Sequence, residues 1–165
     1  MLGSPTEEEM NFLLSHVKNK KVFEWGSGRS TIEIGKIAKS LTSIEHNWKW
    51  FKNTNNKIRN ISVDLNLVHP NGKVTVPAKK TSFKDYISVI DDYDKFDVIF
   101  VDGRARKWCA EQAITHLKKG GFLFIHDWGH AKDNPNDKRP RYEYVLKYYD
   151  LVDVVGTMAK LKVIK

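Results

Sequence analysis

Four short polar clusters each follow an apolar run directly. They are Glu24-Trp25-Gly26-Ser27-Gly28-Arg29-Ser30, Glu45-His46, Asp102-Gly103-Arg104-Ala105-Arg106 and His126-Asp127. The first is a glycine loop with an acid ahead of it. Glycines turn the chain tightly and let a ligand approach the backbone. A dinucleotide fingerprint would place its third glycine where Thr31 stands. An acid before the loop instead suits a cationic amino-acid ligand, whose ammonium it can bind through a charge-assisted hydrogen bond. Glu24, Gly26, Ser27, Gly28, Ser30 and Thr31 are therefore the expected cofactor-loop residues. Glu45, 19 residues after Gly26, can accept hydrogen bonds from both hydroxyls of a ribose, and His46 stands beside it. Taken singly, a glycine turn and a solvated glutamate explain these residues; taken together they indicate an adenosine-containing cofactor.

The other two clusters carry groups that could act on an acceptor. Asp102, His126 and Asp127 are the candidate catalytic residues, and Asp102 is also a candidate cofactor contact. His126, with an ordinary pKa near ~6.5, is the expected general base; Asp102 is the other candidate, with Asp127 orienting its partner. Asp102 and Asp127 could instead hold Mg²⁺, which favours carboxylate oxygens. The plain alternative is that both acids cap helices. Arg104, Arg106 and Lys107 open a helix, where the macrodipole disfavours each cation by ~0.3–1 kcal/mol. An anion could compensate Arg104 and Arg106, which makes them candidate substrate residues; Lys107 is read as structural. Trp48, Trp50 and Phe51 could stack on an adenine, although their helical spacing favours packing in the core or on the surface. His16, His69, His116 and His130 have no partners at metal-ligand spacing, which argues against zinc.

The elements that must position these clusters can be read from periodicity. Thr6 and Glu9 form a capping box, and Met10, Leu13, Leu14 and Val17 make one helical stripe. A strand over 21–25 runs into the glycine loop. A helix with Ile34, Ile37, Ala38 and Leu41 on one face follows, then a strand over 41–45, a polar helix to about Lys57 and a strand over 61–68. Residues 74–77 suggest a short extended piece and 83–90 a short helix. The apolar run 96–101 is a buried parallel strand. The next helix carries Ala110, Ala113, Ile114 and Leu117, with Gly120-Gly121 as its stop, and leads to a strand over 122–125. After a polar loop containing Pro135 and Pro140, residues 141–148 are expected to be helical. Two strands, 151–155 and 158–164, close the chain through Gly156-Thr157. Alternating strands and helices imply an α/β fold, with a seven-stranded, mostly parallel sheet and helices on both faces. The tight final connection makes the last strand antiparallel. All four polar clusters then fall at strand carboxyl ends, where ligands bind on such sheets.

Composition narrows the class. The chain has 165 residues, 41% of them hydrophobic, which suits one domain over 1–165 with a single core. No signal peptide or membrane span is expected. The single cysteine, Cys109, excludes an intrachain disulfide; it suits a reducing, cytoplasmic setting and a buried structural role. The net charge of +8 points to an anionic partner such as nucleic acid or a nucleotide-linked substrate. The lysines are spread along the chain, however, and solvated lysines explain the charge equally well.

Residues 23–31 and 43–46 resemble the first two motifs of class I S-adenosylmethionine-dependent methyltransferases. Residues 96–106 and 120–127 resemble the fourth- and fifth-strand motifs of that family. The resemblance spans about residues 20–164 and implies a Rossmann-like fold with S-adenosylmethionine as cofactor. The string Val101-Asp102-Gly103-Arg104-x-Arg106-x-x-Cys109, with His126-Asp127 and then Arg141-Tyr142 downstream, resembles a branch found near surface-glycan genes. That branch implies an O-methyltransferase with a sugar hydroxyl as acceptor, and adds Arg141 and Tyr142 to the substrate candidates. The acidic pair also resembles that of metal-dependent O-methyltransferases, except that Trp128 stands where a further oxygen ligand is usual. A nucleic-acid methyltransferase and a catalytically silent cofactor-binding module are the alternatives; no Asn-Pro-Pro-Tyr or Asp-Pro-Pro-Tyr motif for amino-group methylation is present.

Overall fold

A computed structural model describes residues 3–129 and 142–164. Seven strands form one sheet: β1 (Lys21–Trp25), β2 (Ser40–Glu45), β3 (Asp64–Leu67), β4 (Phe96–Val101), β5 (Leu117–Ile125), β6 (Tyr149–Val155) and β7 (Met158–Val163). Their order is β3-β2-β1-β4-β5-β7-β6. Strands β1 to β5 pair in parallel, and β7 lies antiparallel to both β5 and β6. β6 therefore runs with the parallel set, and β7 is the single reversed strand.

Side chains alternate across the sheet with the two-residue period of a strand. Val22, Val98, Phe100 and Phe124 face the helices α1 (Glu7–Val17) and α2 (Arg29–Ile37), where Leu13, Val17 and Ile34 meet them. Phe23, Trp25, Ile99, Val101, Leu123 and Ile125 face α4 (Lys84–Ser88) and α5 (Arg106–Ala113). A further helix, α3 (Trp48–Lys57), packs on β2, β3 and α2. Cys109 is buried and free, as expected. Among the described residues, no helix is long and apolar enough to cross a membrane.

The chain runs outward from β1 through β2 to β3, then returns to place β4 on the other side of β1. The crossovers diverge between β1 and β4, so a crevice opens at their carboxyl ends. There the two loops touch backbone to backbone. Gly26 has φ +97°, and a Cβ on it would lie 2.4 Å from the Gly103 nitrogen. A Cβ on Gly103 would meet the Tyr86 hydroxyl at 2.1 Å.

Several sequence expectations need correction. Leu41 belongs to β2 rather than to the α2 stripe, and β3 is shorter than 61–68. Residues 74–77 form no strand, and 83–90 combine α4 with flanking 3-10 turns. Gly120-Gly121 does not stop a helix. α5 ends at Ala113, a 3-10 turn covers Ile114–His116, and Leu117 already starts β5. The glycines lie inside β5 beside a register shift against β4, where a Cβ on Gly121 would sit 2.7 Å from the Asp97 carbonyl oxygen. Glycine in a strand interior commonly marks such an irregularity. The segment expected to be helical over 141–148 is a 3-10 turn, Glu143–Lys147.

Two glycines of the same loop should behave oppositely. Gly28 has an extended φ of 169°, and a Cβ added to it would have nothing within 4 Å. Denaturant unfolding should show Gly26→Ala losing about 3 kcal/mol or more through overlap and left-handed strain. Gly28→Ala should stay within about 1 kcal/mol of the parent. Equal losses would refute this description of the loop.

Candidate active site

The crevice holds about 340 Å³, at the small end of ligand pockets. Gly26, Ser27, Gly28, Arg29 and Ser30 form one wall; Asp102 to Arg106 and Tyr142 form the opposite side. Glu45, His46 and Trp50 also line it, with Val76, Pro77 and Ala78 and the N-terminal Gly3 and Ser4. Trp50 is 54% exposed, so it is not packed into the core. The 76–78 segment and the N-terminal residues carry no periodic signal in the sequence that would place them at the crevice.

The sequence suggests that Glu24 faces a ligand. Its position on β1 instead points it into the α2 side of the sheet, where it is fully buried. Ser30 Oγ donates to Glu24 Oε1; Thr31 Oγ1 and Ser43 Oγ each donate to Oε2 at 2.6 Å. Thr31 Oγ1 in turn accepts the Gly28 N–H at 2.9 Å. Glu24 therefore shapes the glycine loop from below, and neither it nor Thr31 lines the crevice. Burial pushes its carboxyl up to about 7 against the pull of the three hydroxyls.

Glu45 does line the crevice. Its Oε2 accepts Ser27 N–H at 2.9 Å and Ser27 O–H at 3.1 Å, and its Oε1 accepts the N–H groups of His46 and Asn47, both at 2.8 Å. Burial opposes ionisation, but the contacts from His46, Asn47 and Ser27 prevail and lower its pKa. His46 Nδ1 lies 3.1 Å from Oε1 without hydrogen-bond alignment. The rotatable Ser27 hydroxyl is the donor most easily replaced by a ligand hydroxyl.

Asp102, His126 and Asp127 converge as expected, with ligand atoms within 4.8 Å of one another. The group lying among them is not one the sequence reading places there. Arg106 Nη1 is 2.9 Å from Asp127 Oδ2, and Nη2 is 3.3 Å from Asp102 Oδ1. Its Nε donates to the Gly103 carbonyl at 2.9 Å, and further N–H groups donate to the carbonyls of His126 and Asp102. The guanidinium is thus fully engaged in joining the ends of β4 and β5, which corrects its assignment as a free substrate cation. The two carboxylates already share a fixed positive charge. A Mg²⁺ ion needs those same oxygens free of a cation, so this donor set does not fit the Mg²⁺ alternative left open by the sequence.

The sequence reading makes His126 a neutral base. Its Nδ1 meets Asp102 Oδ1 at 2.8 Å and its Nε2 meets Glu9 Oε2 at 3.3 Å, so both ring nitrogens are engaged. Burial would lower its pKa, but the hydrogen bond and charge of Asp102, with the charge of Asp127, raise it above the ordinary value. His126 and Asp127 stand behind the crevice wall and are absent from its lining. The Asp102 side chain keeps 19% exposure, against 6% for Asp127. Glu9 reads in the sequence only as a helix cap. It also accepts Thr157 N–H and O–H at 2.5 and 2.8 Å, tying α1 to the β6–β7 turn. Burial opposes its charge, but the Thr157, Thr6 and His126 contacts hold its pKa down to about 2.

Ala105 (φ 55°) and Asp127 (φ 59°) adopt left-handed backbone on either side of this network. Non-glycine residues hold such conformations only where their surroundings enforce them. Arg104 and Tyr142, the expected substrate contacts, line the crevice. Tyr142 also stacks on Trp128, with centroids 5.5 Å apart. Arg141 lies outside the described residues.

Neither a protein-family model nor a curated protein matches the sequence. Solved structures do match the fold. One is a methyltransferase-like protein from Silicibacter pomeroyi, with 21% identity over 98% of this chain and 87% of that one and a TM-score of 0.75. Another is the N-methyltransferase NodS from Bradyrhizobium japonicum, in complex with S-adenosyl-L-homocysteine, with 13% identity over 96% and 87% and a TM-score of 0.65. An rRNA methylase from Streptococcus thermophilus aligns over 100% and 99% at 12% identity and a TM-score of 0.64. The chain thus has the Rossmann-like fold seen in these methyltransferases.

The burial of Glu24 has a measurable consequence. A folded pKa near 7 against 4.5 for the ordinary group stabilises the fold below pH 4.5, and the benefit is lost as pH rises through 7. The shift corresponds to about 3 kcal/mol. Glu24→Gln, which keeps the neutral form, should remove this slope between pH 4.5 and 7 and leave the variant more stable than the parent at pH 8. Urea unfolding across pH tests it; a parent whose stability rises over that window through Glu24 contradicts the assignment.

Proposed function

We propose that this chain is an S-adenosylmethionine-dependent O-methyltransferase acting on a sugar hydroxyl of a glycan, in a cytoplasmic setting. The observation that carries the reading is one crevice, at the sheet's switch point, lined together by the Gly26–Gly28 loop, Glu45 and Asp102. The residues fit the cofactor. Glu45 offers a carboxylate to ribose hydroxyls, and Ser30, His46 and Trp50 complete the adenosine end. Gly28 leaves open space above the loop for the amino-acid end. Bound there, S-adenosylmethionine supplies a methyl group already activated on a sulfonium sulfur, so the protein's task is mainly alignment.

Asp102 is the group that takes the acceptor's hydroxyl proton, because it alone of the three candidates faces the crevice. His126 and Arg106 are positioning residues that hold the Asp102 carboxylate, and Asp127 shares the guanidinium from the other side. Glu9 orients His126 through its other ring nitrogen. Arg104 and Tyr142 meet the acceptor. The glycan acceptor itself is supported by the 101–109 motif resemblance and by the cationic lining at Arg104.

Methyl transfer to free and phosphate-linked sugars, measured with radiolabelled cofactor, tests this. Asp102→Asn should lower turnover ~10²–10⁴-fold, the usual worth of a general base, with S-adenosylhomocysteine affinity changed less than about threefold. EDTA should leave activity intact. Loss with EDTA and rescue by Mg²⁺, or full turnover in Asp102→Asn, would contradict the mechanism.

A further inference from the structure

A cationic ledge lies along α5 beside the crevice. Lys107 Nζ stands 4.2 Å from the Trp108 ring centroid and 5.9 Å from that of Tyr144. Lys80 stands 5.0 Å from Trp108, and Lys147 stands 5.0 Å from Tyr144. The two rings meet edge to face at 5.7 Å. Ring faces attract ammonium groups, so three otherwise flexible lysines are gathered at one place. Glu111 is the carboxylate within this group: its Oε2 lies 3.5 Å from Lys80 Nζ, and its Oε1 accepts the Tyr144 hydroxyl at 3.0 Å. Among the described residues, three ammonium groups against one carboxylate leave a local charge of +2.

The ledge is continuous with the crevice. Lys107 lies three residues after the lining residue Arg104, and Lys80 lies two residues after the lining residue Ala78. Lys107 also follows the lining residue Arg106 directly in α5. Among the described residues, the Arg104 guanidinium makes no ion pair or hydrogen bond. The first turn of α5 contains no acid that would offset these charges.

We propose that this ledge is a diphosphate-binding site, so that the acceptor sugar enters the crevice on a pyrophosphoryl link. The sugar half of this statement rests on the methyl-transfer reading above; the diphosphate half does not. A pyrophosphate diester carries two negative charges, matching the local charge of the ledge. A nucleic-acid strand fits less well. Single strands bind through free aromatic faces, and here the protein's own lysines cover both rings. Nucleotide-linked and lipid-linked sugars share the diphosphate and differ in what lies beyond it.

The test is calorimetry on the full chain with inorganic pyrophosphate, uridine diphosphate, a short isoprenyl diphosphate and a short single-stranded RNA. The parent is compared with a Lys80→Gln, Lys107→Gln, Lys147→Gln triple variant. Pyrophosphate should bind the parent in the millimolar range or tighter and weaken about tenfold or more in the variant, as charge-assisted contacts are removed. S-adenosylhomocysteine affinity should not change, which also shows that the variant is folded. Tighter binding of uridine diphosphate supports a nucleotide carrier, and tighter binding of the isoprenyl diphosphate supports a lipid carrier. Equal pyrophosphate binding by both proteins, no binding by either, or RNA binding that exceeds every diphosphate and vanishes in the variant would overturn the proposal. Pyrophosphate binding without any S-adenosylhomocysteine binding would remove the methyl-transfer reading while leaving the ledge in place.

Discussion

The site depends on one buried guanidinium. Arg106 has lost most of its water, and a charge taken from water must be paired and hydrogen-bonded or the fold loses several kcal/mol. Two carboxylates and three carbonyl groups meet that requirement. Because those groups come from the ends of β4 and β5, satisfying Arg106 also fixes the strand ends against each other. The left-handed backbone at Ala105 and Asp127 is the conformational cost of bringing the acceptors round one cation.

From that clamp a chain of polar contacts runs inward: Asp127, Arg106, Asp102, His126 and Glu9. Its inner end reaches α1 and the β6–β7 turn through Glu9. Its middle member, Asp102, is the carboxylate that it presents to the crevice. Glu24 and Glu9 show how surroundings divide two buried acids. Glu9 accepts backbone N–H groups and faces His126, which favours the charged form. Glu24 has hydroxyl partners and no cation, so desolvation dominates.

Much of this is legible in the sequence. Short apolar runs ending in polar clusters locate β1, β2, β4 and β5 and put four clusters at one sheet edge. That reasoning brings Glu45, the Gly26–Gly28 loop and Asp102 to one crevice, where the structure has them. What escapes it is direction and occupancy. The strand period places Glu24 on the buried face, but an acid ahead of a glycine loop looks like a ligand contact. Arg106 looks like a free cation, because two of its partners, His126 and Asp127, come from the end of another strand. Glu9 is hidden behind its own capping box, which accounts for an acid at that position without any tertiary role. Gly120-Gly121 carries the signature of a helix stop, while the constraint on Gly121 is the Asp97 carbonyl across the sheet.

The fold and the crevice lead to one central claim: the space between Glu45 and Asp102 is a site for an adenosyl amino acid. Isothermal titration of the full chain with S-adenosylhomocysteine, and separately with NAD, tests it most directly. The account predicts saturable one-to-one binding of S-adenosylhomocysteine, at a Kd of roughly micromolar order, and no binding of NAD in the same range. Binding of NAD with none of S-adenosylhomocysteine would contradict it.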